Sequence, residues 1–218
     1  MNNNFYTEIL YPFQDIVLKN INILGSPFYL TGGTALSRGY INHRFSDDLD
    51  FFMDDDPDFD LWSDRVISSL SKSLQWKTGI LQRDDRFIRL SLIQNDVNLK
   101  IDMINDVPSR VGIPIHHPLL GMLDTPENIL ANKITAVLDR TAPKDIADIW
   151  ALCTKMDLSL STAIQGAQSK ASGVFPVDLA RVLCTASHTD WEVIKWIDPP
   201  VLEIFIRDLQ NLGNNLIK

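Results

Sequence analysis

The chain has 218 residues, 45% of them hydrophobic and 22% charged, enough for one well-cored domain or two small lobes. Twenty basic against 28 acidic residues give a net charge of −8, which argues against broad, nonspecific nucleic-acid binding. No apolar run reaches bilayer length, the start Met1-Asn2-Asn3-Asn4 lacks the pattern of a secretion signal, and two cysteines give no disulfide framework, so a cytoplasmic protein with reduced thiols is expected.

In chain order, Ile9, Phe13, Ile16, Val17 and Ile21 form an apolar stripe that predicts a helix from Glu8 to about Leu24. Phe28-Tyr29-Leu30 reads as a short buried strand, Gly32-Gly33 as a tight turn and Thr34 to Arg38 as the opening of a helix. Arg44 to Phe52 reads as a strand. Asp56-Pro57 looks like a cap followed by proline at the first helical position, opening a helix to about Leu74. Phe87 to Ile93 and Val97 to Ile104 are strand-like and joined by Asn95-Asp96, which suits a hairpin.

Strand character is expected to end after the loop from Pro108 to Pro118. Thr125-Pro126 opens a helix to about Arg140, and a second runs from Pro143 to about Lys155. Further helices are expected over roughly Pro176 to Ala186, Thr189 to Trp196 with a Thr189/Glu192 capping box, and Val201 to Leu212. An α/β half, residues 1–122, thus precedes an α-helical half, residues 123–218, and the fold class is α+β.

Chemistry concentrates in three places. Asp48-Leu49-Asp50-Phe51 alternates, so the two carboxylates share a strand face while Leu49 and Phe51 anchor the other. Like charges that close repel unless a cation sits between them, and an all-oxygen site suits Mg²⁺, or Mn²⁺, with bound waters. Asn98, Lys100 and Asp102 share one face of a later strand, so Asp102 is the expected third ligand and Asp106 the alternative. Gly32, Gly33 and Thr34 offer backbone donors to the phosphates of an NTP. On the helix from Pro126, Lys133, Ala136 and Arg140 share one face, with room beside Ala136 for a phosphate; Lys144 and Asp145 open the next helix and Asp148 lies one turn on.

Other acidic and basic groups read more plainly. Asp47 is an exposed neighbour, Asp54-Asp55-Asp56 a solvated loop, and His116-His117 loop residues without zinc-ligand spacing. Trp62, Trp76, Trp150, Trp191 and Trp196 are core residues. His43 and Arg44 suit either a phosphate or loop packing.

Thr31-Gly32-Gly33-Thr34-Ala35-Leu36, then His43-Arg44-Phe45-Ser46-Asp47-Asp48-Leu49-Asp50-Phe51-Phe52, then Lys133-x-x-Ala136-x-x-x-Arg140-x-x-x-Lys144-Asp145-x-x-Asp148 resemble the AbiEii/AbiGii-type toxins. These are nucleotidyltransferase-like proteins of bacterial type IV toxin–antitoxin and abortive systems. The resemblance covers roughly residues 28 to 150. It implies a minimal nucleotidyltransferase palm, a mixed sheet with flanking helices, followed by a helical half. It also implies NTP and Mg²⁺ use, transfer to the tRNA 3′ end in some relatives, and a separately encoded antitoxin.

The expected division of labour follows. Asp48 and Asp50 hold the ion that chelates the β and γ phosphates, Asp102 shares a second ion at the acceptor hydroxyl, Lys133 and Arg140 neutralise developing charge, and Asp145 orients Lys133 or contacts the nucleotide. Two other classes use parts of this equipment: a metal-dependent phosphodiesterase or nuclease, and a silent nucleotide-binding partner protein. The Gly-Gly turn favours the transferase. Asp102 on the far surface, or a salt-bridging arginine plugging the carboxylate cluster with no cavity left, would overturn the enzymatic reading.

Overall fold

The computed structural model describes residues 3–218. They form two compact units, one of the chain up to Ala35, Ser46–Pro108 and Pro114–Asp124, the other of Leu36–Phe45, Ser109–Ile113 and Thr125–Lys218. The sequence places a boundary near residue 122; the second unit also takes in two earlier segments.

The first unit holds one seven-stranded mixed sheet. Its strands are β1 (Tyr29–Thr31), β2 (Leu49–Asp54), β3 (Lys77–Asp84), β4 (Phe87–Gln94), β5 (Val97–Asp106), β6 (Ile115–His117) and β7 (Gly121–Leu123). Their spatial order is β3-β4-β5-β2-β1-β7-β6, with β2–β5 and β1–β7 parallel and the other pairs antiparallel. The alternation of β2 is clear: Leu49, Phe51 and Met53 are buried while Asp50, Phe52 and Asp54 are half-buried. Leu90, Leu92, Leu99, Ile101 and Met103 complete the apolar layer.

Helices of the same unit cover that layer. A short α1 (Asn3–Phe5) and a π-helical turn (Tyr6–Leu10) lead into α2 (Tyr11–Asn22), and α4 (Phe59–Ser71) lies beside α2. Phe28 links them, edge-on to both Phe51 and Phe59. The short α3 (Gly32–Leu36) follows β1 directly.

The second unit is helical: a π-helical segment (Ser37–Ile41), α5 (Pro126–Arg140), α6 (Pro143–Lys155), α7 (Leu160–Lys170), α8 (Pro176–Cys184), α9 (His188–Val193) and α10 (Leu202–Asn215). Thr125 caps α5 as its sequence position suggests, accepting from the Asn128 N–H. Trp150, Trp196 and Phe205 meet edge-on, so these tryptophans pack the core. Cys153 in α6 and Cys184 in α8 are free thiols, and burial pushes the Cys153 thiol up to about 12. No helix among the described residues is long and apolar enough to cross a membrane.

Several local expectations are corrected. Strand β2 begins at Leu49, so Asp48 precedes it. The Asp56 carboxylate accepts from the Asp58 N–H across Pro57, making a turn, and the helix starts two residues late at Phe59. Strand character does not end with the Pro108–Pro118 loop, because β6 lies within it, carrying His116 and His117, and β7 follows it. The capping box of α9 is Ser187/Asp190 and not Thr189/Glu192. Strand β3, which is almost wholly exposed, and α7 escape the sequence reading.

Candidate active site

One row of side chains crosses four strands on the sheet face opposite the apolar layer. Thr31 of β1 pairs in register with Asp50 of β2, Asp50 with Asp102 of β5, and Asp102 with Arg89 of β4. Adjacent strands lie about 4.8 Å apart, so these four are lateral neighbours. The parallel β2–β5 pairing, supported by the buried Leu49, Phe51, Ile101 and Met103, puts the two carboxylates side by side. Asp106 pairs with Asp54 at the other end of these strands, away from the row.

Basic side chains engage Asp102 and Asp48. Arg89 clasps Asp102 with both ends of its fork, Nε to Oδ1 at 2.8 Å and Nη2 to Oδ2 at 2.7 Å, and its guanidinium lies 5.1 Å from the centre of the Phe87 ring. Lys100 Nζ meets Asp48 Oδ2 at 2.7 Å. Among the described residues no three His, Cys, Asp or Glu side chains gather as a ready-made metal-holding group, and Asp48 and Asp102 are each engaged by a basic side chain. The physical reason is charge. A nearly buried carboxylate such as Asp102 needs a countercharge, and the hairpin supplies one.

Arg89 nevertheless marks the point on which all three acidic groups act. Hydrogen bonding to Asp102 is the largest influence raising its pKa, and the charges of Asp102, Asp48 and Asp50 add to it. The oxygens are of the hard type that a divalent ion takes, and a cation stands among them. The donor set fits Mg²⁺ in kind, provided Arg89 and Lys100 give way.

The Gly-Gly turn presses on the same place. Gly32 has φ +68°, and a Cβ there would collide with Asp50 Oδ2 and lie 3.2 Å from its Cγ. Only glycine lets the backbone pass so close to that carboxylate. The Thr34 hydroxyl, fully buried, donates to the Asp48 carbonyl; it fixes the turn to the strand entry and is not turned to a ligand. Thr31 donates to Asp124 at 2.6 Å, a buried acidic partner at the end of β7 that sequence reasoning missed.

The second unit carries its own charge cluster. Lys133 is 6% exposed, and its ammonium donates to Asp145 Oδ1 and Asp148 Oδ2, both at 2.7 Å. Arg140 reaches Asp145 through Nε at 2.8 Å. Arg44 clasps Asp148 with Nε and Nη2 at 2.7 Å each, and His43 Nε2 lies 2.8 Å from Asp148 Oδ1. Helical geometry explains the meeting, since Lys133 and Arg140 lie on one face of α5 while Asp145 and Asp148 are one turn apart on α6. His43 and Arg44 are carried in by an extended segment: Arg44 bridges Trp196, and Phe45 N–H donates to the Lys195 carbonyl.

Burial opposes charge at Asp148, but Arg44 and Lys133 more than offset it and hold the carboxyl well below its usual range. Asp145 is likewise lowered, with Lys133 and Arg140 outweighing burial, and Lys133 is raised by Asp148 and Asp145 against burial. His43 goes the other way: burial lowers it despite Asp148. Lys133 and Asp145 thus bind each other, while Arg140, its side chain 52% exposed, and the exposed Lys144 present cationic surface beside them.

Arg89 is the functional candidate most clearly missed, and the signal was present. A two-residue turn at Asn95-Asp96 pairs Gln94 with Val97, and counting outward pairs Arg89 with Asp102.

A mixed sheet with a carboxylate row beside a diglycine turn, and a separate helical unit, defines the nucleotidyltransferase class of fold. The chain belongs to the AbiEii nucleotidyl transferase toxin family of type IV toxin–antitoxin systems, whose model matches residues 17–183. An uncharacterized protein of Aquifex aeolicus (strain VF5) is 34% identical over 146 residues, 65% of this chain and 66% of that protein. Two solved structures share the fold. MenT4, a nucleotidyltransferase toxin of Mycobacterium tuberculosis H37Rv, aligns with TM-score 0.69 and 17% identity over 96% of this chain and 83% of its own. A putative nucleotidyltransferase from H. pylori aligns with TM-score 0.59 and 20% identity over 96% and 94%.

Proposed function

We propose that this chain is a Mg²⁺-dependent nucleotidyltransferase that moves NMP from an NTP to an acceptor hydroxyl, the tRNA 3′ end, and acts in the cytoplasm as a toxin restrained by a cognate antitoxin. The observation that carries the reading is the Thr31–Asp50–Asp102–Arg89 row with the Gly32 backbone seated against Asp50. A nuclease has no need of a glycine cradle beside its carboxylates, whereas a triphosphate needs close backbone donors.

Within this reading Asp50 and Asp102, with Asp48 at the strand entry, would hold the divalent ion. That ion supplies neutralisation of phosphate charge and a lowered pKa for the acceptor hydroxyl. Backbone donors of Gly32, Gly33 and Thr34 orient the outer phosphates. Arg140 and Lys144, two of the exposed cations of the helical unit, are available to a phosphate. Lys133, locked between Asp145 and Asp148, serves as a positioning residue through Asp145, which aims Arg140.

The test incubates pure protein with Mg²⁺, each labelled NTP in turn and total tRNA, alongside Asp50→Asn checked for native circular dichroism. RNA that gains label in the wild type, with loss of at least about a hundredfold in Asp50→Asn, is the expected result. RNA that shortens would replace transfer with cleavage, and equal labelling by both proteins would remove Asp50 from the chemistry.

A further inference from the structure

We infer that Arg89 is a displaceable counter-cation of the carboxylate row: it holds Asp102 before loading and transfers its guanidinium to phosphate when a nucleotide arrives, so cation and nucleotide load together. The inference deepens the nucleotidyltransferase reading and rests on it.

The geometry is asymmetric in the way a latch requires. The Asp102 side chain is 9% exposed while that of Arg89 is 36% exposed, so the carboxylate stays and the arginine can leave toward solvent. Losing one partner of a buried pair leaves an uncompensated charge. Arg89 therefore cannot depart unless another cation takes its place at Asp102. A divalent ion can do that, but alone it strands the guanidinium and must break a bidentate pair. A bound triphosphate removes this penalty, because the planar fork that fits a carboxylate fits phosphate oxygens equally well.

The position also suits a short swing. The Phe87 ring beneath the guanidinium gives it an apolar support that does not depend on Asp102. Asp50 and Asp48 also act on the same guanidinium, so a divalent ion among the three carboxylates would be repelled by Arg89 in its present place. Lys100 on Asp48 adds a second ion pair at the strand entry, with the lysine 33% and the carboxylate 27% exposed and so without that asymmetry. The consequence is coupling: nucleotide and cation raise each other's affinity, and either alone binds weakly.

The test measures Mn²⁺ binding by electron paramagnetic resonance, with Mn²⁺ alone and with the α,β-methylene analogues of the four NTPs in turn. Wild type is compared with Arg89→Ala and with Arg89→Gln, which keeps a hydrogen-bond donor for Asp102 should the alanine variant fail to fold. The variants should bind Mn²⁺ alone about tenfold or more tightly than wild type, and the mutual enhancement between Mn²⁺ and analogue should shrink by a similar factor. Unchanged Mn²⁺ affinity in a folded variant overturns the latch and leaves the transferase reading standing. Mn²⁺ binding in none of the three proteins, with or without analogue, overturns the latch together with the metal-dependent reading.

Discussion

Gly32 and Gly25 both sit in left-handed backbone, at φ +68° and +59°, but only Gly32 faces a neighbour where its side chain would stand, the Asp50 carboxylate. Alanine at Gly25 meets nothing within 4 Å, so Gly25→Ala carries only the conformational cost, roughly 1–2 kcal/mol. Gly32→Ala carries that cost and must also push Asp50 aside. Urea unfolding should show the larger loss for Gly32→Ala, and nucleotide transfer should fall at least about tenfold in that variant alone; equal losses in both measures would deny the close approach a role. The same scale explains Lys133. Spacing on a helix puts it beside Arg140, but which way its ammonium turns depends on Asp145 and Asp148 arriving from α6.

At the scale of elements, the hairpin of β4 and β5 decides the site, because its turn sets the register that joins Arg89 to Asp102. Asn95 and Asp96 have φ 48° and 65°, the left-handed pair of a type I′ turn, in which glycine is strongly preferred at the second position. Asp96→Gly should therefore stabilise the protein by about 0.5–1 kcal/mol in urea unfolding without altering transfer. A destabilised Asp96→Gly would mean that the aspartate side chain supports the turn. Elements with a strong pattern were legible: α5 and α6 run from Pro126 to Arg140 and Pro143 to Lys155 as their capping residues and stripes suggest. Strand β3 was not, since an exposed edge strand has no buried face and so no alternation to read.

At the scale of the whole molecule, stability should follow pH through His43. Its folded-state pKa is lowered by burial, so the unfolded chain takes up a proton below about pH 6.5 that the native protein refuses. Stability contributed by neutral His43 is present above that pH and is lost as pH falls, by up to about 1.4 kcal/mol per unit. Asp148, held low by Arg44 and Lys133 against burial, adds a second loss only where free carboxylates begin to protonate, below about pH 4. Urea unfolding between pH 7.5 and 5 should show the first loss in wild type and a flatter profile in His43→Gln. Equal slopes would mean that His43 is protonated in its pocket.

Sequence alone determined the apolar alternation of Leu49 and Phe51, the hairpin turn, the Thr125 cap of α5 and the family motifs, because each is written in residues close along the chain. It also named Asp50 and Asp102 as neighbours, through alternation on two strands. Tertiary structure alone decided what those charges hold. Asp102 found Arg89, Asp48 found Lys100, and Asp148 gathered His43, Arg44 and Lys133. Buried charges must be neutralised by whatever the fold brings within reach, and that choice depends on strand pairing and helix packing rather than on local pattern.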